Sequence, residues 1–213
     1  MALRVITFCA YCKGGSSGYS QQDTYHASKF VKAIKGDGVN RWAEIPVPIG
    51  GRRYRLEESN RSAVFGWFGE MAATYIPPGP LVLVPIPGSK AITTDEVRAG
   101  PTFRLARAVA MRCSHTVETL LRWRRPMQSA RSGGERRAEV LLPNLIVDGR
   151  PSAAVVLVDD VCTSGGHLQA AAAAIRAVGG EVLLAVCAAQ SESIEPPGSA
   201  FAVRERELED VDP

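Results

Sequence analysis

The first third of the chain carries hydrophobic side chains at helical spacing. Residues 22–35 place Tyr25, Phe30 and Ile34 close to one helical face, and Gly36 follows as a helix-ending residue. Residues 61–75 show the spacing more clearly, at Val64, Trp67, Phe68, Met71 and Tyr75. Each segment therefore predicts a helix with one buried face, and the aromatic and methionine side chains of the second are interpreted as core.

From residue 81 onwards, short apolar runs alternate with helical segments. Strands are predicted at 81–84, 116–121, 155–158 and 181–187, and helices at 102–113 and 165–178. The run at 155–158 has four aliphatic residues in succession, which is typical of a parallel strand buried on both faces. The alternation predicts an α/β fold with a mostly parallel, twisted sheet flanked by helices.

The chain is expected to have three parts. Residues 1–75 form a small N-terminal hood or appendage, residues 76–190 form the α/β core, and residues 191–213 form a C-terminal tail. The tail is rich in proline and then in acidic residues, so we expect it to be loosely ordered at its end.

The composition is that of an ordinary soluble protein. Charged residues make up 22 % and hydrophobic residues 46 % of the 213, and a net charge of +3 does not by itself indicate a nucleic-acid partner. The sequence has neither an apolar run long enough to span a bilayer nor the basic and apolar regions of a signal peptide. Five cysteines, an odd number, include three in apolar or helical stretches. We therefore expect a reduced, cytoplasmic protein with no membrane partner.

The strongest motif lies at residues 155–168, VVLVDDVCTSGGHL. An apolar strand leads into Asp159 and Asp160, and a Thr/Ser/Gly turn then opens a helix. Backbone N–H groups and the positive end of the helix dipole suit a phosphate, and adjacent carboxylates suit ribose hydroxyls. The alternative is a turn in which Asp and Ser only cap the helix. Since a cap needs only one such residue, we interpret the segment as a ribose-phosphate site at the carboxyl end of a strand.

This segment resembles the signature of the type I phosphoribosyltransferases, which use 5-phosphoribosyl-1-pyrophosphate (PRPP). The resemblance implies the type I phosphoribosyltransferase fold, ribose contacts from Asp159 and Asp160, and Mg²⁺ as the cofactor that accompanies PRPP. It also implies 5′-phosphate contacts from the turn residues Thr163, Ser164, Gly165, Gly166 and His167. The family pattern has Thr or Ser at the position of His167. For this side chain a phosphate contact and a solvent-facing helix start are both open.

Two further segments are expected beside this site. The loop of Pro87, Gly88, Ser89 and Lys90 follows the strand at 81–84, and in the family such a loop cradles pyrophosphate. The alternative is a proline-stiffened surface turn. Residues 122–137 are basic and Gly/Ser-rich, which resembles the mobile loop that closes over the leaving group, here through Arg131, Arg136 and Arg137. A solvated surface loop and a nucleic-acid patch are the alternatives for that segment.

Within the superfamily, the chain resembles the ComF-like proteins over roughly residues 80–190. The resemblance rests on VPIPGSK at 84–90, on Gln128, Arg136 and Arg137, and on the motif described above. The segment RAGPTF at 98–103 departs from the R-x-G-F-N-Q-like helix start of these proteins.

Many ComF-like proteins begin with a four-cysteine zinc ribbon. This chain has Cys9 and Cys12 in one CxxC and no second CxxC, whereas structural zinc needs four ligands. His26 is a candidate third ligand, and a fourth is not evident. Two ordinary reduced cysteines are therefore expected, with Zn²⁺ at Cys9 and Cys12 as the alternative.

Together these features predict an enzyme that displaces pyrophosphate from PRPP with a nitrogen nucleophile. Asp159 and Asp160 hold the sugar and Asp160 stabilises positive charge on the ring, while Lys90 and the arginine loop serve the leaving group. No residue stands out as a base, and the acceptor is not indicated. The alternative is a non-catalytic protein that senses PRPP or a nucleotide, or that acts in DNA uptake. The oligomeric state is left open, with a homodimer as one of the alternatives.

Overall fold

The computed structural model describes residues 2–12, 21–47, 50–128, 134–135, 137–192 and 199–211. Its strands are β1 (Leu3–Thr7), β2 (Ala10–Cys12), β3 (Ala43–Pro46), β4 (Arg53–Leu56), β5 (Leu81–Pro85), β6 (Thr116–Val117), β7 (Leu121–Trp123), β8 (Leu145–Val147), β9 (Ala154–Cys162), β10 (Val182–Glu192) and β11 (Arg204–Leu208). Its α-helices are α1 (Gln21–Ile34), α2 (Ala63–Ala73), α3 (Thr94–Ala99), α4 (Pro101–Cys113), α5 (Ala138–Leu141) and α6 (Gly166–Ala177). Within the described residues, no helix is both long and apolar enough to cross a membrane.

A seven-stranded sheet forms the centre of this described part. Its order is β11-β1-β10-β9-β5-β6, and β2 also pairs with β10 beyond the end of β1. All of these pairs are parallel except β11 with β1. The protein is therefore an α/β protein with a mostly parallel mixed sheet flanked by helices, as the sequence predicts.

Each face of the sheet is covered by a separate hydrophobic core. Val156 and Val158 of β9 contribute to the core that includes buried residues of α1, α2 and α4. Val155 and Leu157 contribute to the opposite core, with buried residues of α5 and α6. All four side chains are fully buried, so the prediction that this run is a central strand covered on both faces is confirmed.

The helices predicted at 22–35, 61–75, 102–113 and 165–178 are confirmed as α1, α2, α4 and α6. The single strand predicted at 116–121 is wrong. β6 pairs with β5 for two residues and the chain then turns away, so that β7 pairs antiparallel with β8. Hydrogen bonds from the Glu118 N–H to the Leu83 carbonyl and from the Asp148 N–H to the Leu120 carbonyl hold this change of direction.

Both chain ends contribute to the main sheet. β1 and β2 belong to the segment expected to form the hood, and β11 belongs to the expected tail. β11 alternates half-buried arginines with exposed glutamates and ends at the buried Leu208. Its Glu205 forms an ion pair of 2.8 Å with Arg4 of β1. The three-part division at residues 75 and 190 therefore does not follow the strands of this sheet, and residues 204–208 are part of the sheet.

Candidate functional site

A cavity of about 300 Å³ lies where β5 and β9 end. In parallel α/β sheets, ligands bind at the carboxyl ends of the strands, because the connecting loops meet there. The wall is formed by Tyr11, Lys35, Ile86, Pro87, Gly88, Ser89, Pro101, Thr102, Asp159, Asp160, Val161, Thr163 and His167. The structure thus brings the two acidic residues, the turn and the loop after β5 to one place, although about 70 residues of sequence separate the loop from the acids.

Asp159 and Asp160 are adjacent acidic residues near the C-terminal end of β9. Asp159 is buried, and its Oδ1 accepts a hydrogen bond of 2.8 Å from the backbone N–H of Asp160. Asp160 is half-buried, and its Oδ1 accepts one of 2.6 Å from the N–H of Val161. Burial and the nearby charge of Asp160 raise the pKa of Asp159 well above its usual range, and the charge of Lys35 opposes this shift. A carboxyl that protonates readily is able both to donate and to accept hydrogen bonds with a polar ligand.

The turn that follows β9 is held in shape by Gly165. This residue has a φ of +96° and stands as the N-cap of α6, a conformation that residues with a Cβ rarely adopt. A Cβ built there would lie 2.5 Å from Leu208 Cδ1 and 3.2 Å from Arg206 Nη2. The glycine is therefore required by backbone conformation and by the close packing of β11, and not only by access for an anion.

The five predicted phosphate contacts do not all face the cavity. Thr163 and His167 line it, Ser164 is exposed, and Gly165 and Gly166 are buried in the turn at the start of α6. The first turn of any helix directs N–H groups outward without intrahelical partners. This end of α6 therefore presents backbone donors and two side chains next to the acidic pair.

Arg206 of β11 contacts the residues at the start of the turn. Its Nη2 lies 2.7 Å from Cys162 Sγ and 3.1 Å from the carbonyl oxygen of Thr163. A hydrogen bond from the Cys187 thiol and the guanidinium of Arg206 lower the pKa of Cys162. The C-terminal strand thus stabilises the start of the turn, a contribution that the sequence analysis missed.

The loop after β5 forms the opposite wall. Pro87, Gly88 and Ser89 line the cavity, whereas Lys90 is exposed and is not among its lining residues. The hydroxyl of Thr102, buried at the start of α4, donates a hydrogen bond of 2.8 Å to the carbonyl of Ile86. The N-terminal end of α4 therefore fixes the loop and adds a second set of outward-directed N–H groups near the cavity.

Trp123 connects this loop to the basic segment. Its indole Nε1–H donates a hydrogen bond of 3.3 Å to the carbonyl of Pro87, and its backbone N–H donates one of 2.9 Å to that of Ala91. Downstream, the N–H of Met127 donates one of 2.6 Å to the carbonyl of Ser89. The ring of His167 packs edge-on against Trp123 at 5.6 Å between centroids. One buried indole therefore links the loop after β5 to the turn after β9.

The predicted basic loop is only partly described. Arg131 and Arg136 lie outside the described residues. Arg137 is exposed and forms an ion pair of 3.1 Å with Glu135, and this interaction raises its pKa. Arg122 pairs with Asp148 at 2.7 and 3.1 Å.

Six residues of the wall were not among the predicted site residues: Tyr11, Lys35, Ile86, Pro101, Thr102 and Val161. Tyr11 comes from β2, Lys35 follows α1, and Thr102 lies in α4. The signal for Thr102 was present, because it lies in RAGPTF, the segment that departs from the ComF-like pattern. No local signal marks Tyr11 or Lys35, since only the pairing of β2 with β10 and the packing of α1 bring them to the cavity.

The pair of Cys9 and Cys12 is described only in part, because the side chain of Cys12 lies outside the described residues. Cys9 is buried, and its burial raises the pKa of the thiol well above its usual range. His26 Nδ1 lies 2.7 Å from the carbonyl oxygen of Glu44. Among the residues that the structure describes, no three His, Cys, Asp or Glu side chains are grouped to hold a metal ion.

No model of a known protein family matches this chain. No curated protein matches it either. Interpretation of the cavity therefore depends on the residues that line it and on the motif that they form.

Proposed function

We propose that this protein is a phosphoribosyltransferase with the type I fold, which binds PRPP and displaces its pyrophosphate with a nitrogen nucleophile. The observation that carries the proposal is the single cavity shared by Asp159, Asp160, the turn after β9 and the loop after β5. A helix-capping role explains the turn by itself but does not explain why a second loop and two carboxylates face the same space. A phosphorylated sugar with a second anionic group uses all of them.

Each part of the cavity has a chemical role in this proposal. Backbone N–H groups of the turn and the side chains of Thr163 and His167 hold the 5′-phosphate. Asp159 and Asp160 accept hydrogen bonds from the ribose hydroxyls, and Asp160 also stabilises positive charge on the ring. The loop at Pro87–Ser89 receives the pyrophosphate. The bond from C1 to the pyrophosphate oxygen breaks with its electron pair on oxygen, and a bond from C1 to the nitrogen of the acceptor forms. The proton that the nitrogen then loses passes to the departing pyrophosphate or to water.

The donor groups of the cavity fit PRPP as its magnesium complex. Mg²⁺ prefers hard oxygen ligands and is usually held by one or two carboxylates together with substrate phosphates. The carboxylate of Asp160 and the phosphate oxygens of the substrate provide such a set. When bound, Mg²⁺ would neutralise charge on the departing pyrophosphate.

Calorimetric titration with PRPP and MgCl₂ tests the proposal. Asp160→Asn keeps the size of the side chain and removes its charge, and Asp159→Asn combined with it removes both carboxylates. Loss of hydrogen bonds to the charged Asp160 carboxylate predicts about 10- to 100-fold weaker binding in the single variant, and the double variant, which also replaces the Asp159 carboxyl, should bind more weakly still. Asp95→Asn is the matched control, because Asp95 is 94 % exposed in α3 and lies outside the cavity. Unchanged PRPP affinity in the double variant would refute the assignment.

Release of pyrophosphate, measured at PRPP concentrations that saturate each variant, then tests catalysis separately from binding. The assay uses PRPP with a panel of nucleobases, ammonia and glutamine. Turnover that is lost in Asp160→Asn supports a transferase. Intact PRPP binding without turnover on any acceptor would instead favour the sensing protein.

A further inference from the structure

A second concave surface lies between α2 and α4 and shares no lining residue with the cavity. This α2–α4 groove encloses about 760 Å³. Its lining residues include Ser62, which stands at the N-cap of α2, Phe65 and Gly66 from α2, and Phe103, Ala108 and Met111 from α4. Met111 is 81 % exposed, although large hydrophobic side chains are normally buried. The groove therefore presents apolar surface that no described part of this chain covers.

Four arginines surround that apolar surface: Arg98, Arg104, Arg107 and Arg112. The sequence of α4, PTFRLARAVAMRC, contains no acidic residue to balance them. Arg98 lies 3.8 Å from the highly exposed Asp95, and Arg107 and Arg112 form no ion pair within the described part of the chain. Like charges at helical spacing repel one another, so the groove favours an anionic occupant.

Gly66 gives an independent indication that something approaches this groove. A Cβ built on Gly66 meets nothing within 4 Å, whereas one on Gly69 would lie 2.5 Å from the carbonyl oxygen of Ala108. Packing of α2 on α4 therefore explains Gly69 and does not explain Gly66. A glycine inside a helix lowers helix stability relative to alanine, and its usual compensation is close approach of another group to the bare backbone.

We propose that the α2–α4 groove binds an acidic, partly apolar peptide segment of a partner protein. Arginine suits carboxylates because its planar fork donates two parallel hydrogen bonds. Arg104 and Arg112 are separated by ~12 Å along α4, which matches acidic side chains about two turns apart on a bound helix. Apolar side chains of the peptide lie on Phe103 and Met111, and its backbone passes over Gly66.

The geometry favours a peptide over a nucleic acid or a lipid surface. The guanidinium of Arg104 lies over the ring of Phe65 at 5.0 Å, which occupies the aromatic face that a base would stack on. The surface is concave, whereas a membrane requires a flat or protruding apolar face. A peptide whose apolar side chains lie in the groove, with charged side chains on either side of them, fits both observations.

Selection from a displayed random library of peptides about 12 residues long, the length that spans α4, tests this proposal. The immobilised full chain is the target, and the Gly66→Leu variant, whose side chain fills the groove, is used for counter-selection. We expect enrichment of peptides that combine Asp or Glu with Leu, Phe or Met. If the peptides selected on the wild type were no richer in Asp and Glu than those selected on Gly66→Leu, the proposal would be overturned.

Fluorescence anisotropy with the enriched peptides at physiological salt then maps the contact. Gly66→Leu and the double variant Arg107→Glu with Arg112→Glu should each weaken binding about tenfold or more. Lys32→Glu, an exposed charge reversal on α1, is the control and should change affinity less than about twofold. Circular dichroism verifies that every variant is folded.

Three results would contradict an acidic peptide as the occupant. The first is equal peptide binding by the wild type and Gly66→Leu. The second is preferential binding of single-stranded oligothymidine or of phosphatidylglycerol vesicles over the peptides. The third is a wild-type dimer, measured by light scattering, that Gly66→Leu dissociates, since a second copy would then cover the groove.

Discussion

Two buried tryptophans provide a matched test of the hydrogen bond that holds the loop after β5 in place. Trp67 and Trp123 are each about 1 % exposed. The indole N–H of Trp123 donates to the carbonyl of Pro87, whereas that of Trp67 has no partner among the described residues. Substitution by phenylalanine removes the same atoms at both sites but removes a hydrogen bond only at Trp123.

The expected difference follows from the two environments. Truncating indole to benzene removes roughly 40 Å³, and at about 24 cal/mol per Å³ of cavity this destabilises either variant by about 1 kcal/mol. Trp123→Phe also loses a buried hydrogen bond, worth about 1 kcal/mol, for a total near 2 kcal/mol. Trp67→Phe instead removes a buried, unpaired donor. Because the cost of burying that donor without a partner is also removed, about 1 kcal/mol is regained, and the net change in the free energy of unfolding is near zero. In a chain of this length 2 kcal/mol lowers Tm by about 4–8 °C.

Urea and thermal denaturation followed by circular dichroism measure both variants. We expect Trp123→Phe to lower the free energy of unfolding by about 2 kcal/mol more than Trp67→Phe does. Calorimetry with PRPP should show weaker binding only for Trp123→Phe, because only this indole supports the loop after β5. Equal destabilisation of the two variants, or a larger effect at Trp67, would refute the role given to the Pro87 hydrogen bond.

Three further predictions concern residues that shape the cavity and the helices beside it. Gly165→Ala should destabilise the protein by about 1–2 kcal/mol because of its positive φ and its contact with Leu208, and unchanged Tm would contradict this reasoning. Thr102→Val removes the hydrogen bond to the loop after β5 and should lower the free energy of unfolding by about 1 kcal/mol and weaken PRPP binding; wild-type values in denaturation and calorimetry would argue against it. Gly69→Ala should destabilise by about 1–3 kcal/mol through overpacking against α4. Gly66→Ala should instead stabilise the protein by about 0.5–1 kcal/mol in thermal denaturation. If Gly66→Ala and Gly69→Ala changed the stability in the same direction, the contact described between Gly69 and α4 would be wrong.

The sequence by itself determined the elements whose signal is local. The aliphatic run at 155–158, the two acids and the Thr-Ser-Gly-Gly turn predicted a buried strand, a polar strand end and a helix start, and β9 and α6 confirm this order. The spacing at 22–35 and 61–75 likewise predicted α1 and α2. These patterns are readable because burial of one helical face, or of both faces of a strand, constrains residues only a few positions apart.

Tertiary structure decided which distant residues share the site. Lys90 follows the cavity loop in sequence yet is exposed, while Tyr11 and Lys35 come from the first 35 residues and line the wall. The strand predicted at 116–121 ends at Val117, because the chain leaves the main sheet there and Leu121 begins β7, which pairs with β8. Local patterns carry no information about such pairings.

The C-terminal strand shows the same limit most clearly. Residues 204–208 alternate arginine and glutamate and carry little apolar signal, yet they pair with β1, about 200 residues away, and hold the turn at Cys162 and Thr163 through Arg206. The sequence thus determined the acids and the turn that the cavity uses. Their support and the remaining walls depend on contacts between residues far apart in the chain, which only the folded structure brings together.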